Sequence, residues 1–355
     1  MRPTLQTVAD EVGVSRSTVS NAYSRPDQLS PELRDRILAT ARRLGYAGPH
    51  PAARSLRSGR AGAIGVLFTA TLSDAFTDPY AVRFLQGVAQ TAERHETGLL
   101  LIPLSARDDT AARNTVRNAV VDGFCVYCVP DWHSALAEIK ARGLPVVSAD
   151  QKPDGPEEAM YVGIDEWTAA HAAGAHVAHL GHRRVAIVSL DLTSDFVTRT
   201  AELKDPDEIQ YYISRERLRG IQDAFGEAGV GWSDLTLINA ASNTREEGER
   251  AAACALDRAD RPTAILTYSD VLALGVLDAL AVRGLQPGRD VSVVGFDDIP
   301  EAAAAGLTTI RQPAVRKGAL AAELLLKPRQ DPADRRILLP TELIVRSSTG
   351  PVEGK

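Results

Sequence analysis

Apolar residues recur along this chain at two different periods. Up to residue 44 they follow helical spacing, and from residue 63 onward short continuous apolar runs alternate with helical stretches. In the first region Leu5, Val8, Ala9 and Val12 stand at i, i+3, i+4 and i+7 behind Thr4, a capping residue, which predicts a helix with one apolar face. Gly13 ends it, because a residue that must take positive φ just past a helix is cheapest as glycine, and Val14 is then free to tuck between two helices. Ser15 caps a second helix in which Val19 and Ala22 or Tyr23 look inward while Arg16, Ser17, Ser20 and Asn21 project outward. A third is expected over 31–44, with Ser30 as cap, Pro31 in the first turn and Gly45 as stop. Two short helices hinged on a glycine form a helix-turn-helix. Arginine, asparagine and small hydroxyls on the outer face of the second helix are side chains that read base edges in a major groove.

Beyond this head lies a breaker-rich linker from Ala47 to Arg60, with a short helix expected at 52–57. Strand-like runs then fall at 63–68, 99–104, 123–129 and 145–149, separated by helical patterns at 80–94, 110–121 and 134–142. A second series places helices at 168–180, 214–228, 245–256 and 271–283 and strands at 184–189, 235–239, 264–268 and 291–296. Repeated alternation of this kind predicts two doubly wound parallel sheets in series, with a ligand cleft between them at the carboxyl ends of the strands. The stretch 191–207 is polar and irregular, too long for an ordinary connection, and reads as a long loop or lid beside that cleft, or as a disordered segment.

Composition narrows the class. A length of 355 residues predicts two or three domains, and 44% hydrophobic with 24% charged residues is ordinary for a globular chain without a membrane span. The N-terminus lacks the apolar stretch of a secretory signal, so a cytoplasmic location is expected. Charge is split. Residues 1–60 hold ten arginines against five acids, a balance of +5, which leaves −11 for the rest of a chain whose net charge is −6. A basic head for phosphates on an acidic body fits nucleic acid as partner.

Enzyme signatures are missing. There is no G-x-x-x-x-G-K-[ST] and no G-x-S-x-G, and Gly59, Gly62 and Gly65 are mis-spaced for a dinucleotide fingerprint and precede a strand. Cys125 and Cys128 form a C-x-x-C, but inside a buried strand residues three apart point to opposite faces, and buried apolar cysteines are the better reading. His176, His179 and His182 stand three apart without a carboxylate or cysteine partner, so an exposed helix is preferred to a metal site. No enzyme activity, metal or cofactor is expected.

The motifs together resemble the LacI/GalR transcription regulators. Thr7-Val8-Ala9, Gly13-Val14-Ser15, Thr18-Val19-Ser20, Leu44-Gly45-Tyr46 and Ala52-Ala53-Arg54-Ser55-Leu56-Arg57 look like the family's DNA-binding head and hinge. Leu180-Gly181-His182-Arg183-Arg184, Ser269-Asp270, the run 291–298 and the run 307–313 look like landmarks of its body. The resemblance implies an all-α helix-turn-helix head on an α/β body of two periplasmic-binding-protein-like subdomains. It implies a homodimer on a pseudo-palindromic operator of double-stranded DNA, acting as a repressor under a small-molecule effector, with no membrane partner. Carried over by position, the DNA-contacting residues are Thr4, Ser15, Arg16, Ser17, Thr18, Ser20 and Asn21 in the head and Ala52, Ala53 and Leu56 in the hinge, where Leu56 would wedge into a central base step. Asn21 stands where the family commonly has arginine.

Effector contacts implied in the same way are Phe76 and Tyr80 of the 76–80 loop, Tyr127, Asp150, Arg217, Ser269, Asp270, Asp297 and Gln312; for Ser269 and Asp270 a plain helix cap is an equal alternative. Ser269 replaces the usual asparagine, so ligand identity does not transfer. Sugars are favoured by family habit, with nucleosides or other metabolites open. The expected domains are 1–46, a linker and hinge at 47–60, a first subdomain of 61–164 plus 313–328, a second of 165–312 plus 329–346, and a tail of 347–355 without a leucine-heptad tetramerisation segment.

Overall fold

The computed structural model describes residues 3–48, 59–68, 72–104, 109–130, 133–152, 159–192 and 196–352. The chain divides into two compact units, residues 1–62 and 63–355.

In the first unit helices α1 (Leu5–Val12), α2 (Arg16–Ser24) and α3 (Pro31–Leu44) form as their caps dictate. The Thr4 hydroxyl accepts from the Thr7 amide at 3.3 Å while the Thr4 amide donates to Thr7 Oγ1 at 3.1 Å, a reciprocal box. Ser15 and Ser30 accept from the amides of Thr18 and Leu33. Gly13 and Gly45 close α1 and α3 at φ of 75° and 73°. Val8, Ala9, Val19, Ala22, Ile37 and Ala41 are the buried centre, ringed by residues that include Val14, Tyr23 and Tyr46. So small a core supports only a few kcal/mol, at about 0.1 kcal/mol per residue. Each cap, at about 1 kcal/mol, is then a large share of the head's stability.

The second unit contains two sheets. The first has the order β12-β5-β4-β3-β1-β2, all parallel, from β1 (Ala63–Phe68), β2 (Gly98–Pro103), β3 (Phe124–Tyr127), β4 (Val146–Ala149), β5 (Met160–Ile164) and β12 (Arg336–Leu339). The second has the order β13-β11-β10-β9-β6-β8-β7, from β6 (Val185–Ser189), β7 (Arg199–Ala201), β8 (Leu235–Asn239), β9 (Ala264–Thr267), β10 (Ser292–Asp297), β11 (Thr308–Arg311) and β13 (Glu342–Ile344), its two edge strands antiparallel. Inner strands such as β3, β6 and β10 are buried along their whole length, which is why they appear in sequence as continuous apolar runs.

Two expectations are corrected. Residues 336–339, assigned from sequence to the second subdomain, run parallel to β5 and complete the first sheet, covering an edge that would otherwise present unpaired backbone groups. The chain therefore passes between lobes after β5, after β11 and again between β12 and β13. The stretch 191–207 is not simply a loop, because it contributes β7. Asn239 at the end of β8 pins it from both sides, its Oδ1 accepting from the Leu192 amide and its Nδ2 donating to the Val197 carbonyl, each at 3.0 Å, and Trp232 Nε1 donates to the Leu203 carbonyl at 2.8 Å.

Helices flanking the sheets pack in pairs through glycines. A Cβ placed on Gly87 of the helix Pro79–Arg94 would lie 1.9 Å from the Val315 carbonyl oxygen, and one on Gly318 of the helix Ala314–Leu326 would lie 2.0 Å from that of Phe84. The helices Arg245–Leu256 and Asp270–Val282 meet likewise at Gly248 and Gly275, 2.2 and 2.0 Å from the Leu272 and Arg245 carbonyls. Among the described residues no helix is long and apolar enough to cross a membrane.

Candidate functional site

On the head, Arg16 and Ser17 are exposed in the first turn of α2. Ser15 is its cap, and Thr18, half-buried, has its hydroxyl 2.8 Å from Ser15 Oγ. Thr4 is exposed at the start of α1. Asn21 is half-buried, and its Nδ2 donates to Gln28 Oε1 at 3.2 Å, so its amide is oriented from the turn that follows α2. Ser20 does not project outward as expected but is buried. It stands about 100° round the helix from Val19 with Tyr23 between them, so the inward face is wide enough to include it. Ala52, Ala53 and Leu56 lie outside the described residues.

In the second unit, carboxyl ends of strands from both sheets bring polar side chains together: Tyr127 ends β3, Asp150 follows β4, Tyr268 and Ser269 follow β9, Asp297 ends β10 and Gln312 follows β11. Asp150 and Asp297 take φ of 68° and 132°, conformations that side-chain-bearing residues adopt at a cost of about 1–3 kcal/mol and that cluster at ligand sites.

Lys317, which the sequence reading did not single out, organises the first half. It is fully buried, and its Nζ donates to Asp150, to Tyr80 Oη at 2.6 Å and to Gln312 Oε1 at 3.1 Å. Tyr80 Oη donates in turn to Gln312 Oε1 at 3.0 Å, and Gln312 Nε2 donates to Asp297 Oδ1 at 2.8 Å, carrying the network into the second lobe. Burial pushes the Asp297 carboxyl well above its ordinary range, with the Asp270 charge adding to the effect. Lys317 was legible in one respect: Ala314, Lys317, Gly318 and Ala321 are a helical stripe, and a lysine on the small apolar face of a helix is a buried lysine.

The second half centres on Arg217. Its Nε donates to Glu166 Oε2 and its Nη1 to the Tyr268 carbonyl, both at 2.7 Å, and the guanidinium lies 3.7 Å over the Phe296 ring. Glu166 is also absent from the sequence-derived candidates; the helix expected at 168–180 begins two residues earlier, at Glu166 itself. The lobes touch where Asn243 Nδ2 donates to Asp78 Oδ2 at 3.3 Å and where Tyr211 Oη donates to the Cys128 carbonyl at 3.1 Å.

Of the remaining candidates, Tyr127 is stacked on Phe84 at 4.4 Å and Ser269 caps the following helix through the Leu272 amide while meeting Asn243. Asp270 is a correction. It is fully buried, with its oxygens held by the Ile299 amide at 2.9 Å and Thr309 Oγ1 at 2.6 Å, so it ties the helix Asp270–Val282 to β11 rather than facing a ligand. Phe76 is exposed on the short helix Leu72–Thr77. The Cys125 thiol is pushed up to about 12 by burial, as suits an apolar strand residue. His182 is held by Thr263 Oγ1 and the Gly350 carbonyl, and His176 by Thr349 Oγ1.

Comparison with known proteins agrees with both units. Residues 4–48 match the model of bacterial regulatory proteins of the lacI family, and residues 175–349 match a periplasmic binding protein-like domain. An HTH-type transcriptional regulator of Mycobacterium tuberculosis is 42% identical over 357 residues, covering 99% of this chain and 98% of the relative. The chain belongs to the LacI family. LacI-family members are DNA-binding transcriptional regulators and not enzymes. Among solved LacI-family structures, a complex of the transcriptional regulator CelR with cellobiose superposes with a TM-score of 0.69 at 25% identity, covering 98% of this chain and 100% of that one. The lac repressor dimer bound to operator and the anti-inducer ONPF superposes with a TM-score of 0.77 over 98% of this chain and 99% of that one; at 21% identity it shows the common fold.

Proposed function

We propose that this LacI-family regulator is a repressor that binds a pseudo-palindromic operator as a homodimer and senses a small polar metabolite, a sugar by preference, at the carboxyl ends of its two sheets. The observation that carries the sensing role is the buried polar array of Tyr80, Asp150, Lys317, Gln312, Asp297 and Arg217, drawn from both lobes and bounded by the Phe296 and Tyr127 rings. Carboxylates accept hydroxyl hydrogens and an aromatic face covers the apolar side of a ring, which suits a polyhydroxylated ligand. The lac repressor dimer on operator and the cellobiose complex of CelR support dimeric operator binding and a sugar effector. DNA contacts are assigned to Arg16, Ser17 and Asn21 in the major groove and to Ala52, Ala53 and Leu56 in the minor groove. Thermal shift with a sugar and nucleoside library tests the sensing role. A ligand at 100 times its Kd adds about 2.7 kcal/mol of stability.

For the head, Asn21→Ala is expected to relax base preference at one position of each half-site and to weaken binding by about 1–3 kcal/mol. Selection from a randomised operator reads this out directly. Identical consensus sequences for the two proteins would show that Asn21 does not read a base. A gel shift at physiological salt that finds no sequence preferred over competitor DNA would refute operator binding altogether.

A further inference from the structure

Resting on the proposed cleft, the balance of charge and of unused hydrogen-bonding capacity within it narrows the ligand's chemistry. Four acids, Asp78, Asp150, Glu166 and Asp297, gather with two cations, Lys317 and Arg217, and all but Asp78 are below 9% exposed. Lys317 has three donors, and Asp150, Tyr80 and Gln312 take all of them. Arg217 is bound at Nε by Glu166 and at Nη1 by the Tyr268 carbonyl, with its plane against Phe296, which engages two of its five donors. An acceptor is left over. Glu166 is 1% exposed, its Oε2 is held by Arg217, and its Oε1 has no hydrogen-bond partner among the described residues. A buried carboxylate oxygen without a donor is destabilising, a deficit that a bound donor removes.

We propose that the effector carries no anionic group and meets this site with hydrogen donors, hydroxyl or ammonium, one of which is accepted by Glu166 Oε1. A phosphate or carboxylate entering the cleft would find the lysine donors taken and would set its own acceptor oxygens against Glu166 Oε1, which is an acceptor as well. Glu166 is thus a specificity-determining residue, acting by what it accepts and by what it repels.

The test is a panel of matched ligands on the full-length protein by thermal shift and calorimetry: neutral hexoses and disaccharides, the corresponding amino sugars, and the corresponding 6-phosphates and uronic acids. Neutral or amino members are expected to bind at least about tenfold more tightly than their anionic counterparts, and which of the two binds better identifies hydroxyl or ammonium as the donor. Glu166→Gln is expected to weaken the preferred ligand by roughly 10- to 100-fold and to narrow the gap between neutral and anionic members. An unchanged gap in Glu166→Gln, with both classes weakened alike, would mean that Glu166 acts only by holding Arg217 and would overturn its assignment. A 6-phosphate or uronate that binds as tightly as its parent would overturn the charge inference and leave the cleft as an effector site. No shift with any member would overturn the sugar reading and this inference with it.

Discussion

Replacing Lys317 with methionine is expected to destabilise the protein by about 3–5 kcal/mol, the range for removing one partner of a buried ion pair. Methionine fills nearly the same volume, so little of the loss comes from a cavity. It comes from Asp150, which is 3% exposed and would be left buried without its ion-pair partner. Tyr80 Oη would lose a donor at the same time. A lysine on a solvated helix face would instead give a change within about 0.5 kcal/mol. Urea unfolding at constant m-value separates these outcomes. Adding Asp150→Asn to Lys317→Met should recover much of the loss, because the double variant buries no unpaired charge, and strictly additive single-variant effects would refute the coupling.

Gly318→Ala is expected to be the next most damaging change, at about 1–3 kcal/mol, although alanine is favoured over glycine in a helix by about 1 kcal/mol. The added methyl would meet the Phe84 carbonyl oxygen at 2.0 Å, and a backbone atom in the middle of a helix yields only if the two helices part. Gly226 is the internal control. It lies in the helix Tyr212–Glu227 with nothing within 4 Å of where a Cβ would stand, so Gly226→Ala should raise the melting temperature. A Gly318→Ala variant that melts at or above the wild-type temperature would show that the helix pair tolerates separation.

Much of this architecture could be read from the pattern of apolar residues. The inner strands showed up because they are buried on both faces, and the helices Arg245–Leu256 and Tyr212–Glu227 because one face is apolar. Strands β7, β12 and β13 are three or four residues long at sheet edges, too short for a period to register. The site was partly legible for a related reason. Strand ends point to Asp150, Asp297 and Gln312, but the identical Ser-Asp pair at 269–270 reads as a cap or as a ligand contact until Thr309 and Ile299 are seen to hold the aspartate. Nothing near Asn21 in a helical pattern announces Gln28, which reaches it across a turn. Lys317 stands beside the exposed Arg316, and no apolar run there marks its position as buried.

The return of residues 336–339 to the first sheet has a consequence for synthesis on the ribosome. Chains fold from the N-terminus as they emerge, and the head has a core of its own within residues 5–46. The first lobe, by contrast, lacks both the helix that supplies Lys317 and its last strand until nearly the whole chain has been translated. A nascent chain therefore carries a complete helix-turn-helix head well before the first lobe of its body can close.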